Sequence, residues 1–170
     1  MGLPRKLKNM KLFNTGAAYL GDIASFTTPK LGRKFEEYRG GGMDGPVKID
    51  MGSEALEAEW VCGGPMRDVL RQYGVTSVTG VQLRLALAYQ ADDTGDIDTV
   101  EIVIRGRHEE IDMGEGKPAE GGEFKVKTAI AYYKLTWNGV TEIEIDQLGM
   151  VFIVGGVDRL AEIRSALGVF

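Results

Sequence analysis

The chain has one cysteine, one histidine and five prolines in 170 residues. One cysteine excludes an intramolecular disulfide framework and any cysteine-rich zinc site. One histidine excludes every site that needs two, the HExxH helix among them. Long apolar runs are missing as well. The best, Met150 to Val154, stops at Gly155-Gly156, well short of the ~20 residues that span a bilayer. The basic start, Met1-Gly2-Leu3-Pro4-Arg5-Lys6, leads into no apolar stretch, so it does not read as a secretory signal. Lys6 stands where an N-myristoylation motif needs Ser or Thr. The expectation is a soluble protein made in a cytoplasm.

Glycine is what the chain has in excess. It carries 24, about twice the usual ~7% share. There is no G-X-Y period and proline is scarce, so collagen and low-complexity disorder both fail. With 44% hydrophobic residues the chain should fold, and the glycines belong at turns, bulges or an extended arm. The length fits one domain, 1–170, with a core that buries roughly 70% of the unfolded surface. Charge is uneven. Residues 1–35 hold seven basic side chains and only Asp22, whereas the remainder holds 13 basic and 24 acidic. A basic head is either a solvated terminus or a segment that docks on an acidic body, its own or a neighbour's. The acidic total argues against sequence-reading nucleic-acid binding.

Period-2 alternation dominates, which makes the protein mainly β. Val81, Leu83, Leu85, Leu87 and Tyr89 share one strand face, with Gln82, Arg84 and Gln90 on the other. Val100, Ile102 and Ile104 form a second apolar face, and Asp92-Asp93-Thr94-Gly95-Asp96 between the two strands suits a hairpin. Phe124, Val126, Thr128, Ile130 and Tyr132 alternate with Lys125, Lys127, Ala129 and Ala131. That strand then turns apolar on both faces toward Tyr133, Leu135 and Trp137, so its second half is expected to lie deeper. Asn138-Gly139 predicts a type I′ hairpin, returning through Ile143 and Ile145 opposite Glu142, Glu144 and Asp146. Two helices are expected. One covers 64–74, with Pro65 at N1, Gly74 past the end and a stripe of Met66, Val69, Leu70 and Tyr73. The other covers 158–168, with Asp158 as N-cap and Leu160, Ile163 and Leu167 ready to dock on a sheet.

The segment 39–54 stands apart. Arg39-Gly40-Gly41-Gly42-Met43-Asp44-Gly45-Pro46 cannot form the middle of a strand. Beyond it, Val47, Ile49 and Met51 alternate with Lys48 and Asp50. The expectation is a hairpin of Leu31–Tyr38 and Ala55–Val61 whose middle is drawn out into an arm on glycine joints. Either the arm folds back on its own domain, or its apolar face finds another chain.

Catalytic constellations are weak. Gly114-Glu115-Gly116-Lys117 lacks P-loop spacing, and the acids Asp92 to Asp98 fail the calcium-loop pattern at Ile97 and Val103. His108 and Cys62 could form a base and nucleophile only if the fold brought them together. Glu109 and Glu110, neighbours on a strand, point to opposite faces. The alternative function is a small β-barrel enzyme or ligand-binding domain that uses His108 with Glu109, Glu110 and Asp112. No cofactor is expected.

Along its whole length the sequence resembles the major tail tube proteins of contractile-tailed phages and of R-type phage-tail bacteriocins. The resemblance starts at Pro4-Arg5-Lys6-Leu7 and Pro29-Lys30-Leu31. It runs through Glu37-Tyr38-Arg39-Gly40-Gly41-Gly42-Met43-Asp44, Glu57-Ala58-Glu59-Trp60 and Ala88-Tyr89-Gln90. Arg105-Gly106-Arg107, Glu110-Ile111-Asp112, Tyr132-Tyr133-Lys134-Leu135 and Gly156-Val157-Asp158-Arg159-Leu160 continue it. No piece is specific alone; their order and spacing make the match.

The resemblance implies a non-enzymatic tail-tube β-sandwich or barrel. Six copies form a hexameric ring, and rings stack into a hollow conduit for DNA passage or membrane puncture. Arg39, Gly40, Gly41, Gly42, Met43, Asp44, Val47, Ile49 and Met51 would form the inter-ring arm. Arg5, Lys6 and Lys8 would join the axial contact. Glu57, Glu59, Glu142 and Glu144 are candidates for an acidic lumen wall, past which DNA slides without specific binding. The implied partners are further copies, the tail sheath, tape-measure, baseplate and tail-terminator proteins. The implied location is a virion tail assembled in the bacterial host cytoplasm.

Overall fold

The computed structural model describes residues 1–15, 17–19 and 22–169, with backbone alone for 17 and 18. In chain order the elements are β1 (Lys6–Asn14), β2 (Ala17–Tyr19), β3 (Ile23–Thr27), β4 (Arg33–Tyr38), β5 (Val47–Ser53) and β6 (Leu56–Cys62). Then come α1 (Arg67–Arg71), β7 (Val81–Gln90), β8 (Ile97–Asp112), β9 (Phe124–Trp137), β10 (Val140–Asp146), β11 (Val151–Val154), β12 (Val157–Asp158) and α2 (Ala161–Ala166). Ten strands form one antiparallel sheet in the order β12-β11-β10-β9-β8-β7-β1-β2; β6 adds to β9 beside β10, and β3 lies against β6. Among the described residues β4 and β5 pair only with each other, as a separate two-stranded ribbon.

The sheet rolls around its own core. β2 and β6 are five ladder steps apart, roughly 24 Å across a flat sheet at ~4.8 Å per strand. Yet the rings of Tyr19 on β2 and Trp60 on β6 lie 6.4 Å apart. The expected inward faces supply the core: Leu83 and Leu85 on β7, Ile102 and Ile104 on β8, Phe124 and Val126 on β9, all buried. The two hairpins fall where the turn residues put them. Asn138 and Gly139 take φ of 47° and 83°, the paired positive values of a type I′ turn.

Gly106 makes the roll possible. A Cβ there would lie 1.8 Å from the carbonyl oxygen of Ala129, closer than any side chain can approach. The β8–β9 register slips at this point, from Arg105 opposite Tyr132 to Gly106 opposite Ile130, so Ala131 bulges out. The slip inverts the side-chain parity of β9. Ile130 and Tyr133 are buried, whereas Tyr132, expected on the inward face, turns outward and donates its hydroxyl to Glu144 Oε1 at 2.9 Å. The second half of β9 is therefore not the deeper one: Trp137 stays 39% exposed and stacks on Tyr89.

Both helices are shorter than the sequence suggests. α1 spans only Arg67–Arg71, not 64–74, because nothing caps it: Met66 stands at the N-cap with no side-chain bond. Val69 is buried, but Leu70 and Tyr73 face solvent. α2 spans Ala161–Ala166, not 158–168. Asp158 belongs to β12, where it accepts the Leu160 N–H and pairs with Arg164. The helix buries no residue, so its stripe of Ile163 and Leu167 is not docked.

The arm departs furthest from expectation. Leu31–Tyr38 and Ala55–Val61 are not hairpin partners. β4 pairs with β5, Tyr38 opposite Val47 and Glu36 opposite Ile49, while β6 leaves for β9. Pairing the nearest segment closes the shortest loop. Gly40 to Gly45 consequently sit at the ribbon's tip rather than at its joints, and Gly42 takes φ +82° in the turn. Gly52, at φ +117°, lies near a register slip at the base.

Candidate functional site

Opposite residues in an antiparallel pair point to the same side, so the β4–β5 register defines two faces. Tyr38, Val47, Ile49 and Met51 share one with Lys34 and Glu36; Phe35, Glu37, Lys48 and Asp50 share the other. Tyr38, Val47, Ile49 and Met51 are 45–55% exposed, and neither face covers a core. Two-stranded ribbons are marginal alone in water, so this one depends on its anchorage. Arg33 Nε donates to both oxygens of Asp50 at 3.0 and 3.2 Å. That contact, with the Gly52 amide, holds the Asp50 carboxyl below the usual range. The Arg33 guanidinium also lies 4.8 Å over the Phe152 ring, and Gln147 donates to Ser53 Oγ. At the base, Leu31, Leu56, Ile143, Ile145, Phe152 and Val154 line an apolar groove of about 170 Å³. Arg39 and Met43 close the tip: the Arg39 side chain donates to the Met43 carbonyl and the Met43 amide to the Gly40 carbonyl.

The basic N-terminal segment docks on its own chain. Arg5 Nε lies 3.1 Å from Asp98 and Nη2 3.8 Å from Asp96. Lys8 Nζ donates to Asp92 at 2.7 Å, and the Leu3 amide donates to Asp93 at 3.0 Å. That amide bond holds the Asp93 carboxyl below its ordinary value. Asn138 adds a further bond to Asp98. Two of the three residues expected in the axial contact, Arg5 and Lys8, thus meet acids of the β7–β8 hairpin; Lys6 opens β1 opposite Gln90.

Glu57, Glu59, Glu142 and Glu144 all lie on the outward side of the one sheet, separated by the bulge at Ala131. Each pair has cations nearby. Lys127 lies 3.2 Å from Glu57 and opposite Glu59; its pKa is raised, chiefly by its bond to Glu57. Lys134 sits opposite Glu144. The Tyr132 phenol is pushed up to about 12 by burial and by its bond to Glu144. Sequence reasoning missed the basic partners on this side. Lys11, Arg84, Arg105 and Lys134 occupy outward positions across β1, β7, β8 and β9. Phe13 sits between Lys11 and Arg84, whose cationic atoms are 4.7 and 3.9 Å from its ring centroid. The signal was available in the same alternation that located the core.

The residues of the enzymatic alternative do not converge. His108 is 6% exposed, and its two ring nitrogens face Thr128 Oγ1 and Gln72 Oε1 at 3.0 and 2.9 Å. Neither nitrogen is available to Cys62. The Cys62 thiol is buried and pushed up to about 11 by that burial, the opposite of an activated nucleophile. Glu109 and Glu110 stay exposed at the far end of β8.

The family model described as phage tail tube protein FII matches residues 4–168. The tail tube protein of Escherichia phage P2 is 45% identical over 99% of this chain and 100% of its own. The major tail tube protein of Serratia phage KSP20 is 34% identical over 99% of both. Among solved structures, the sheath/tube terminator of the PVC extracellular contractile injection system superposes with a TM-score of 0.60. It is 9% identical over 78% of this chain and 96% of its own. The PVC sheath–tube complex in its extended state follows at 0.58, 10% identical over 78% and 91%. At such identities the likeness speaks for the fold alone.

Proposed function

The chain belongs to the phage tail tube FII family and is a structural subunit of a tail tube, and we propose that its copies close into hexameric rings that stack into a hollow conduit. The observation that carries this reading is the β4–β5 ribbon: an apolar face with no core beneath it, on an element that pairs with nothing else among the described residues. A stack of rings is a head-to-tail contact that does not close, so it grows into a filament. In that filament Val47, Ile49 and Met51, with Tyr38, lie against the adjacent ring, and the tip from Arg39 to Asp44 reaches it first. Lys6 and the docked N-terminal segment border the same contact.

The outward side of the sheet supplies the candidates for the lumen. Glu57, Glu59, Glu142 and Glu144 repel a passing polyanion, while the neighbouring lysines and arginines keep the wall close to balance. DNA then transits without specific binding. The tail sheath, tape-measure, baseplate and tail-terminator proteins are the remaining partners, on a tail assembled in the host cytoplasm. No cofactor and no catalysis enter this reading.

Electron microscopy of the purified chain at high concentration tests it. Rings and hollow filaments are expected. A monodisperse monomer, with no incorporation into tails in a lysate, contradicts it.

A further inference from the structure

One polar cluster in the core takes no part in the assembly surfaces. Trp60 Nε1 donates to Thr128 Oγ1 at 3.1 Å, and Thr128 Oγ1 lies 3.0 Å from His108 Nδ1. On the other side of the ring, His108 Nε2 meets Gln72 Oε1 at 2.9 Å. The Gln72 amide donates to Asn14 Oδ1 at 2.8 Å, and the Asn14 amide returns to Gln72 Oε1 at 2.8 Å and to the Tyr19 hydroxyl at 3.2 Å. A carbonyl oxygen only accepts, so His108 carries its proton on Nε2. Nδ1 then accepts from the Thr128 hydroxyl, whose oxygen accepts from Trp60. The chain of bonds has one consistent direction with a neutral imidazole.

We propose that His108 is an acid-sensitive lock, which in its neutral form holds the α1 segment and the β1–β2 corner against the barrel and on protonation releases α1. The geometry gives the reason. Residues 63–80 reach the core through few side chains: buried Val69, part-buried Met66 and Val75, and Gln72. Gln72 is the only one of these that depends on a titrating group. A second proton on Nδ1 meets the Thr128 hydroxyl, which must turn and abandon its acceptor, and it puts a cation in a buried site.

Among the described residues no carboxylate acts on the ring to offset that cation. From β6 the ring faces Trp60, at 5.9 Å between centroids; from β9 it faces Thr128; from the end of α1, Gln72, with Asn14 of β1 and Tyr19 of β2 beyond. The Tyr19 phenol and Cys62 thiol nearby are both pushed up, and so are neutral. Asp22 and Asp68 act on Tyr19. Burial alone pushes His108 down, to about 4. The folded value lies below the unfolded one of ~6.5. The stabilisation is therefore complete above pH ~6.5 and is lost as pH falls toward 4.

Hydrogen exchange on the full chain tests the lock. The probes are the bonded amides of Leu70, Gln72, Tyr73 and Val75. Between pH 6.5 and 4 their protection should fall roughly tenfold per pH unit, ahead of the amides of β7 and β8. His108→Gln, neutral at every pH, should make the α1 amides pH-independent. Carbon and nitrogen shifts of the wild-type ring provide a readout that needs no variant: the neutral Nε2–H form should persist to pH ~5. A ring that titrates near 6.5 overturns the proposal. So does α1 protection that falls only together with the barrel, or a His108→Gln protein that keeps the wild-type pH profile.

Discussion

β7 and β5 carry the same sequence pattern and meet opposite fates. In β7, Val81, Leu83, Leu85 and Leu87 alternate with polar residues, and all four are at most 5% exposed. In β5, Val47, Ile49 and Met51 alternate with Lys48 and Asp50, and all three are 45–55% exposed. β7 lies between β1 and β8 in a rolled sheet, whereas β5 has only β4 beside it. Alternation therefore tells which residues share a face; what lies above that face is decided by the neighbours the strand acquires. In β7 the neighbours come from the same chain. For β5 they are expected from another copy.

The contrast predicts how each region breaks. The largest effect belongs to the barrel's corner. Gly106→Val forces a side chain into the Ala129 carbonyl, so the barrel should fail to fold or lose most of its stability, as read by denaturant unfolding. Next comes the core. Leu85→Ala should cost about 2–5 kcal/mol, with a lower unfolding midpoint and an unchanged ability of the surviving folded subunits to assemble. The reverse holds for the ribbon. The Glu54 amide donates to the Gly32 carbonyl at 3.0 Å, so deleting Arg33–Ser53 joins two ends that already touch. The shortened chain should unfold at nearly the wild-type midpoint and form rings at most, with no long tubes by microscopy. Long tubes from that deletion would remove the arm from the axial contact. At the N-terminus a modest loss of stability is expected, with assembly retained. Asp98→Ala removes partners of Arg5 and Asn138 together and should cost about 1–3 kcal/mol, visible as a modest drop in unfolding midpoint.

Much of the barrel was legible because its signals are local. Alternation located the faces of β7 and β8, and Asn138-Gly139 fixed a turn that its φ values match. The bulge at Ala131 was hidden, since Thr-Ala-Ile-Ala-Tyr-Tyr reads as unbroken strand; only the close approach of Gly106 to Ala129, a contact between residues distant in sequence, creates it. The helix boundaries failed for a related reason. The stripe of Leu160, Ile163 and Leu167 promises docking, but only Leu160 is part-buried, while Ile163 and Leu167 stay exposed among the described residues. Val47, Ile49 and Met51 share one exposed face of the ribbon, as their alternation suggests. The partner strand of β4 was not legible, because both Val47–Ser53 and Leu56–Cys62 can pair with it on pattern alone. The acids proposed for the lumen came from shared strand faces and the family resemblance; the pairing of Lys127 with Glu57 and of Lys134 with Glu144 depends on cross-strand register, which a single strand's alternation does not show.

In the tube the ribbon's apolar face is expected to be covered by a second copy. Cryo-electron microscopy of filaments grown from the purified chain tests it most directly. Stacked rings are expected, with Tyr38, Val47, Ile49 and Met51 buried against the neighbouring ring. Filaments in which those four side chains still face solvent would contradict it.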